Sequence, residues 1–152
     1  MGGWVKGVCA ALAALALLGA PWASAQVPNE FSRELSQRLG ENEHLLSQSG
    51  YSRAAGPFAG GLAPRQSRRY VITLRAGQDY RIVGVCDSRC GDIDLRLYDP
   101  NGNQVAQDVL NDNVPTLAIR PPATGPHTVE VDMYQCTAAP DPCWYAFNVY
   151  SR

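Results

Sequence analysis

The sequence predicts a mainly β protein, an antiparallel β-sandwich of about seven strands preceded by a short amphipathic helix and a glycine- and proline-rich linker. Three observations carry this expectation. From Arg69 onward apolar residues recur at every second position, the period of a strand that buries one face. Turn-forming residues interrupt the alternation at short intervals, as at Ala76-Gly77, Asp99-Pro-Asn-Gly102 and Asn111-Asp-Asn113. Two further interruptions are each bracketed by a pair of cysteines, Cys86 with Cys90 and Cys136 with Cys143.

The chain opens with Lys6 as its one early charge, an apolar run from Val8 to Ala20, and the small-residue stretch Pro21-Trp22-Ala23-Ser24-Ala25. That layout is a cleavable secretory signal, 1–25, with cleavage expected after Ala25. The apolar run is short for a bilayer span, and Cys9 lies inside it instead of just after a cleavage box, so no lipid anchor is expected. The remaining 127 residues hold twelve arginines, no lysine and fourteen acids, a net charge of −2. This length suits one domain. Near-neutral charge gives no reason to expect nucleic acid or an anionic membrane as a partner, since both select positive fields. The cluster Arg65, Arg68 and Arg69 is the local exception, read either as a solvated face or as a small anion or partner patch. The absence of lysine removes Schiff-base chemistry.

Residues 26–49 form the helical segment. Phe31, Leu35 and Leu39 recur every four positions, Asn29 suits the amino-terminal cap, and Glu34 with Arg38 forms an i,i+4 pair. Gly40 weakens its middle, and the narrow apolar stripe suits a helix lying on a domain or a partner. Residues 50–68, with Gly50, Gly56, Pro57, Gly60, Gly61 and Pro64, read as a linker.

Strands are expected near 69–75, 78–86, 92–98, 103–108, 115–120, 127–135 and 143–150. Their inward set is Tyr70, Ile72, Leu74, Tyr80, Ile82, Ile93, Leu95, Leu97, Val129, Val131, Met133, Tyr145, Phe147 and Val149. A single open sheet would leave such a face wet, which argues for a sandwich. An even number of cysteines in an exported chain implies two disulfides among Cys86, Cys90, Cys136 and Cys143. Their Cys-x3-Cys and Cys-x6-Cys spacings do not match zinc sites. Local pairing is favoured because each pair brackets a short, turn-rich loop; the crossed pairing, which would staple the two loops together, stays open.

The order Arg75-Ala-Gly-Gln-Asp-Tyr80-Arg-Ile82, Asp92-Ile-Asp94-Leu-Arg-Leu-Tyr-Asp99-Pro-Asn-Gly102, Thr124-Gly-Pro-His-Thr-Val129-Glu-Val131 and Trp144-Tyr145-Ala-Phe-Asn-Val149 resembles the bacterial pre-peptidase C-terminal domain. The resemblance covers about residues 67–152. It implies a secreted, jelly-roll-like β-sandwich, an accessory of exported proteases related to the collagen-binding modules of clostridial collagenases. Pro126-His127 stands where that family usually has an aromatic strand start, and the cysteine pairs are not a general family feature.

Beyond the leader the chain has two histidines, His44 and His127, and no Gly-x-Ser-x-Gly nucleophile elbow. A hydrolase is the least favoured reading. Asp92 and Asp94 lie two apart on one strand face, with Asp87, Asp99, Asp108 and Asp112 in loops. Together they form a candidate calcium set, whose alternative is ordinary turn and surface acids. Calcium in collagen-binding relatives points the same way. Tyr98, Trp144 and Tyr150 fall on the parity opposite to the core and form a candidate aromatic binding patch, unless the helix covers that face through Phe31, Leu35 and Leu39. The sequence thus leads to a non-catalytic periplasmic or extracellular module that holds a protein, peptide or glycan. The second reading is a structural envelope or secretion-associated protein docking through its helix.

Overall fold

The computed structural model describes residues 26–152; the expected signal segment, 1–25, lies outside the described residues. One helix, α1 (Asn29–Ser47), precedes eight strands: β1 (Ser52–Leu62), β2 (Gln66–Leu74), β3 (Tyr80–Cys86), β4 (Cys90–Tyr98), β5 (Gln104–Asp108), β6 (Thr116–Ile119), β7 (Gly125–Cys136) and β8 (Cys143–Ser151). The strands form two four-stranded sheets, ordered β1-β8-β3-β6 and β2-β7-β4-β5. The first strand pairs with the last, the second with the seventh, the third with the sixth and the fourth with the fifth, all antiparallel. This is the jelly-roll wrapping: a long antiparallel ribbon rolled over so that its two halves face each other.

Every residue of the expected inward set lies in, or packs against, a single core between the sheets. Strict alternation places these side chains on the facing surfaces, and the paired registers stack them in rows such as Tyr70–Val129–Leu97. At the centre Phe147 stacks on Phe58 at 4.8 Å and meets Tyr70 edge-on at 5.1 Å. The Tyr70 and Tyr145 hydroxyls, 2.7 Å apart, satisfy each other, and burial followed by this bond pushes the Tyr145 phenol well above its ordinary pKa.

The expected linker at 50–68 is corrected. Most of it is β1, an eleven-residue strand, and β2 begins at Gln66, so the sandwich starts near Ser52 instead of residue 69. The interruptions that suggested a linker are accommodated because β1 is an edge strand. Pro57 lacks an N–H, which an edge tolerates, and the pairing with β8 shifts register on both sides of Ala55. The glycines there are required by close approach. Gly56 has φ 106°, and a Cβ on it would fall 2.5 Å from Asn148 Oδ1; one on Gly61 would fall 3.0 Å from the Trp144 ring.

α1 lies across the outer face of the β1-β8-β3-β6 sheet. Leu35 and Leu39 are buried with Val85, Trp144 and Ala146, and Phe31 packs beside them. Leu46 packs on the cluster of Tyr51, Val83 and Tyr150. The Glu34–Arg38 pair forms at 3.1 Å. Asn29 is not the cap, however: it is the first helical residue, and Pro28 precedes it with no side-chain capping bond.

Candidate functional site

The helix decides which sheet face is open. On β8 the odd-numbered residues Tyr145, Phe147 and Val149 face the core, and the even-numbered ones face α1. Trp144 is therefore 8 % exposed and Tyr150 0 %, and the expected Tyr98, Trp144 and Tyr150 patch does not form. Tyr98 lies on the other sheet, half-buried on its outer face.

That outer face of β2-β7-β4-β5 carries rows fixed by register. Arg69, Glu130 and Arg96 are aligned across β2, β7 and β4; Ser67, Asp132 and Asp94 form the next row, and Val71, Thr128 and Tyr98 another. The charges alternate in sign along the first row, whereas the next sets Asp132 beside Asp94. Arg69 Nε donates to Glu130 Oε2 at 2.5 Å, Tyr98 Oη donates to Glu130 Oε1 at 3.0 Å, and the Arg69 guanidinium lies 5.2 Å from the Tyr98 ring centre. Burial and the Glu130 bond raise the Tyr98 phenol pKa. Arg96 bridges Asp132 and Asp94. Next to this network Tyr134 stands 54 % exposed, with the Arg65 guanidinium 6.0 Å from its ring centre. A shallow depression of about 400 Å³ runs between Tyr134, Arg96, Asp94 and Asp92. Tyr134 was legible from sequence by the same parity argument that exposed Tyr98, since it follows inward Met133 on β7.

Asp92 and Asp94 share this face, as the spacing requires, and line one depression there; two carboxylates alone do not complete a calcium shell. The ion needs six to eight oxygens. Among the described residues no three acidic, histidine or cysteine side chains converge as a metal set, and Arg96 already supplies the cation beside Asp94, at 3.4 Å. Asp92 is buried with Oδ1 unpartnered. Burial raises the Asp92 carboxyl pKa, and the Asp112 charge adds to this while a backbone bond at Asp112 opposes it. The folded state thus holds that proton more tightly than the unfolded one, so this residue's contribution to stability falls as pH rises from the ordinary carboxyl range through the raised value. Asp92→Asn is expected to stabilise the fold at pH 7 by on the order of 1 kcal/mol, with the advantage fading below about pH 4. Thermal melts of both proteins at the two pH values check this; an advantage that persists at low pH would assign the effect to packing.

His44 sits on α1, 3.1 Å from Gln48 Nε2, and His127 is buried on β7 with Nδ1 3.0 Å from the Gly125 carbonyl.

The cysteines pair locally, Cys86 with Cys90 and Cys136 with Cys143, with Cα separations of 5.9 and 5.8 Å. The two clamps meet at one end of the sandwich, because Cys90 and Cys136 are register partners across β4 and β7. Between them lies Asp87, which the sequence reading placed only among loop acids. It is 0 % exposed and accepts from the Trp144 amide at 2.6 Å, the Arg89 amide at 2.9 Å and the Arg89 guanidinium at 2.8 and 3.1 Å. Arg89 also donates to the Pro142 carbonyl at 3.1 Å and stands 4.0 Å from the Phe31 ring centre. One charge pair thus ties the β3–β4 loop to β8 and α1. Because the cystine rings are small, removing one of them, as Cys136→Ser with Cys143→Ser, is expected to cost about 2 kcal/mol. Urea unfolding checks the magnitude, and far-UV circular dichroism should stay unchanged.

No protein family matches the chain, and no curated protein matches it either. Fold and surface define its class, an eight-stranded jelly roll with one helix-covered and one open face. Among the described residues no helix is long and apolar enough to cross a membrane.

Proposed function

We propose that the protein is a non-catalytic binding or accessory module of the periplasm or cell exterior, which holds a protein, peptide or glycan on the outer face of the β2-β7-β4-β5 sheet. The observation that carries this reading is the asymmetry of the sandwich: α1 covers one outer face, whereas the other presents Tyr98, Tyr134 and charges of both signs. Aromatic rings flanked by hydrogen-bonding charges suit shallow ligands such as sugars and extended peptides. Two disulfides support an oxidising compartment, and the resemblance to the pre-peptidase C-terminal domain supports an accessory role. Docking through α1 is the weaker alternative, because Leu35 and Leu39 are already buried against the protein's own β8 and β3.

The test is an amide-resolved titration of the purified protein with a panel of oligosaccharides and short peptides. A ligand is expected to shift resonances of residues 94–98 and 128–134 and to lose affinity in Tyr134→Ala. Shifts confined to α1, or a panel that binds nowhere, would count against this face.

A further inference from the structure

The two sheets part along the edge formed by β1 and β2. Near Tyr70 the gap is closed, since its hydroxyl lies 2.7 Å from that of Tyr145 and 3.4 Å from the Ala59 carbonyl. Toward Tyr80 a cleft of about 440 Å³ opens, its apolar lining supplied by Ala55, Phe58, Ile72, Leu74, Tyr80 and Val149, with Arg75 also at its wall. β2 ends its sheet and pairs along all nine residues with β7 alone. The backbone groups of its other side are therefore free to pair with an added strand.

The charge along this edge has one sign. Residues 51–78, which hold β1, β2 and their turns, contain Arg53, Arg65, Arg68, Arg69 and Arg75 and no acid. All five are exposed. Arg53 pairs with Glu43 and Arg69 with Glu130, whereas Arg65, Arg68 and Arg75 have no carboxylate partner among the described residues. A second copy of β2 laid on the first would bring two like-charged edges together, a repulsion that natural edges use to prevent self-pairing. An acidic strand meets the opposite field.

We propose that β2 receives an extended acidic segment of a partner protein as a fifth strand, with an apolar side chain of that segment seated in the cleft between β1 and β2. Backbone pairing supplies affinity in such an addition, and the cleft and the arginines supply selectivity. This edge is distinct from the open sheet face, and neither proposal depends on the other.

The probe is a synthetic peptide matched to the nine residues of β2, alternating glutamate with leucine or phenylalanine, titrated into the purified protein. Saturable binding is expected, with slowed amide exchange at residues 66–74 and resonance shifts at 54–58. Arg75→Glu and, separately, Arg68→Glu should each weaken it about tenfold, as should lysine in place of glutamate in the probe. Methylating alternate amides of the probe should abolish binding. Equal binding of the lysine probe, protection along β5 or β6 instead of β2, shifts confined to the open face of β4 and β7, or no binding at millimolar probe would each overturn the proposal. Circular dichroism of both variants establishes that they are folded before affinities are compared.

Discussion

Asp87→Ala is expected to destabilise the fold by about 3–5 kcal/mol, the loss typical when one partner of a buried, hydrogen-bonded charge pair is removed. The substitution strands the Trp144 amide, and it leaves Arg89 with only the Pro142 carbonyl and the Phe31 ring as partners. Against a domain stability of about 5–15 kcal/mol the change is large, and urea unfolding followed by far-UV circular dichroism measures it. A loss below about 1 kcal/mol would mean that water takes over the carboxylate's role. The same site sets an acid limit. Burial pushes the Asp87 carboxyl up, but the Arg89 bonds and the Trp144 and Arg89 amides outweigh burial and hold it below the ordinary carboxyl range. Its stabilising contribution is present above the unfolded value and disappears as pH falls through the depressed folded value. The variant should therefore show a shallower loss of stability on acidification than the parent.

Phe147→Ala is the second large effect, about 3–5 kcal/mol. Phe147 is fully buried at the contact between the sheets, stacked on Phe58 and edge-on to Tyr70. β1 and β2 cannot close over the gap without moving backbone that is paired to β8 and β7. Phe147→Leu should recover most of the loss, since much of the volume returns. Comparable unfolding midpoints for Phe147→Ala and the parent would show that the two edge strands collapse to fill the space.

These two residues differ in how far sequence exposes them. Phe147 is plain from the alternation Tyr145, Phe147, Val149, which on a strand admits one burial pattern. Asp87 lies in a loop, and its partner at Trp144 is 57 residues away, so no local spacing marks it as a buried anchor. The outer face of β2-β7-β4-β5 is intermediate. Parity places Tyr98, Glu130, Asp132 and Tyr134 opposite the core, but only the registers of β2, β4 and β7 bring Arg69, Glu130 and Arg96 into one row. The β1 strand was hidden for another reason. Gly56, Pro57 and Gly61 carry the composition of a linker, whereas the two glycines let an edge strand approach Asn148 and Trp144 closely.

By itself, then, the sequence determined what depends on neighbours along the chain: the alternation that makes the sandwich core, the turns that divide its strands, and the short loops that the cysteines bracket, whereas the choice of Cys86 with Cys90 and Cys136 with Cys143 over the crossed pairing came from the structure. Tertiary structure alone decided which face stays open. Trp144 and Tyr150 have the same outward parity as Tyr98, but they sit on the sheet that α1 covers. Parity fixes the side of a sheet on which a residue stands, and only the packing of a distant helix determines whether that side meets water.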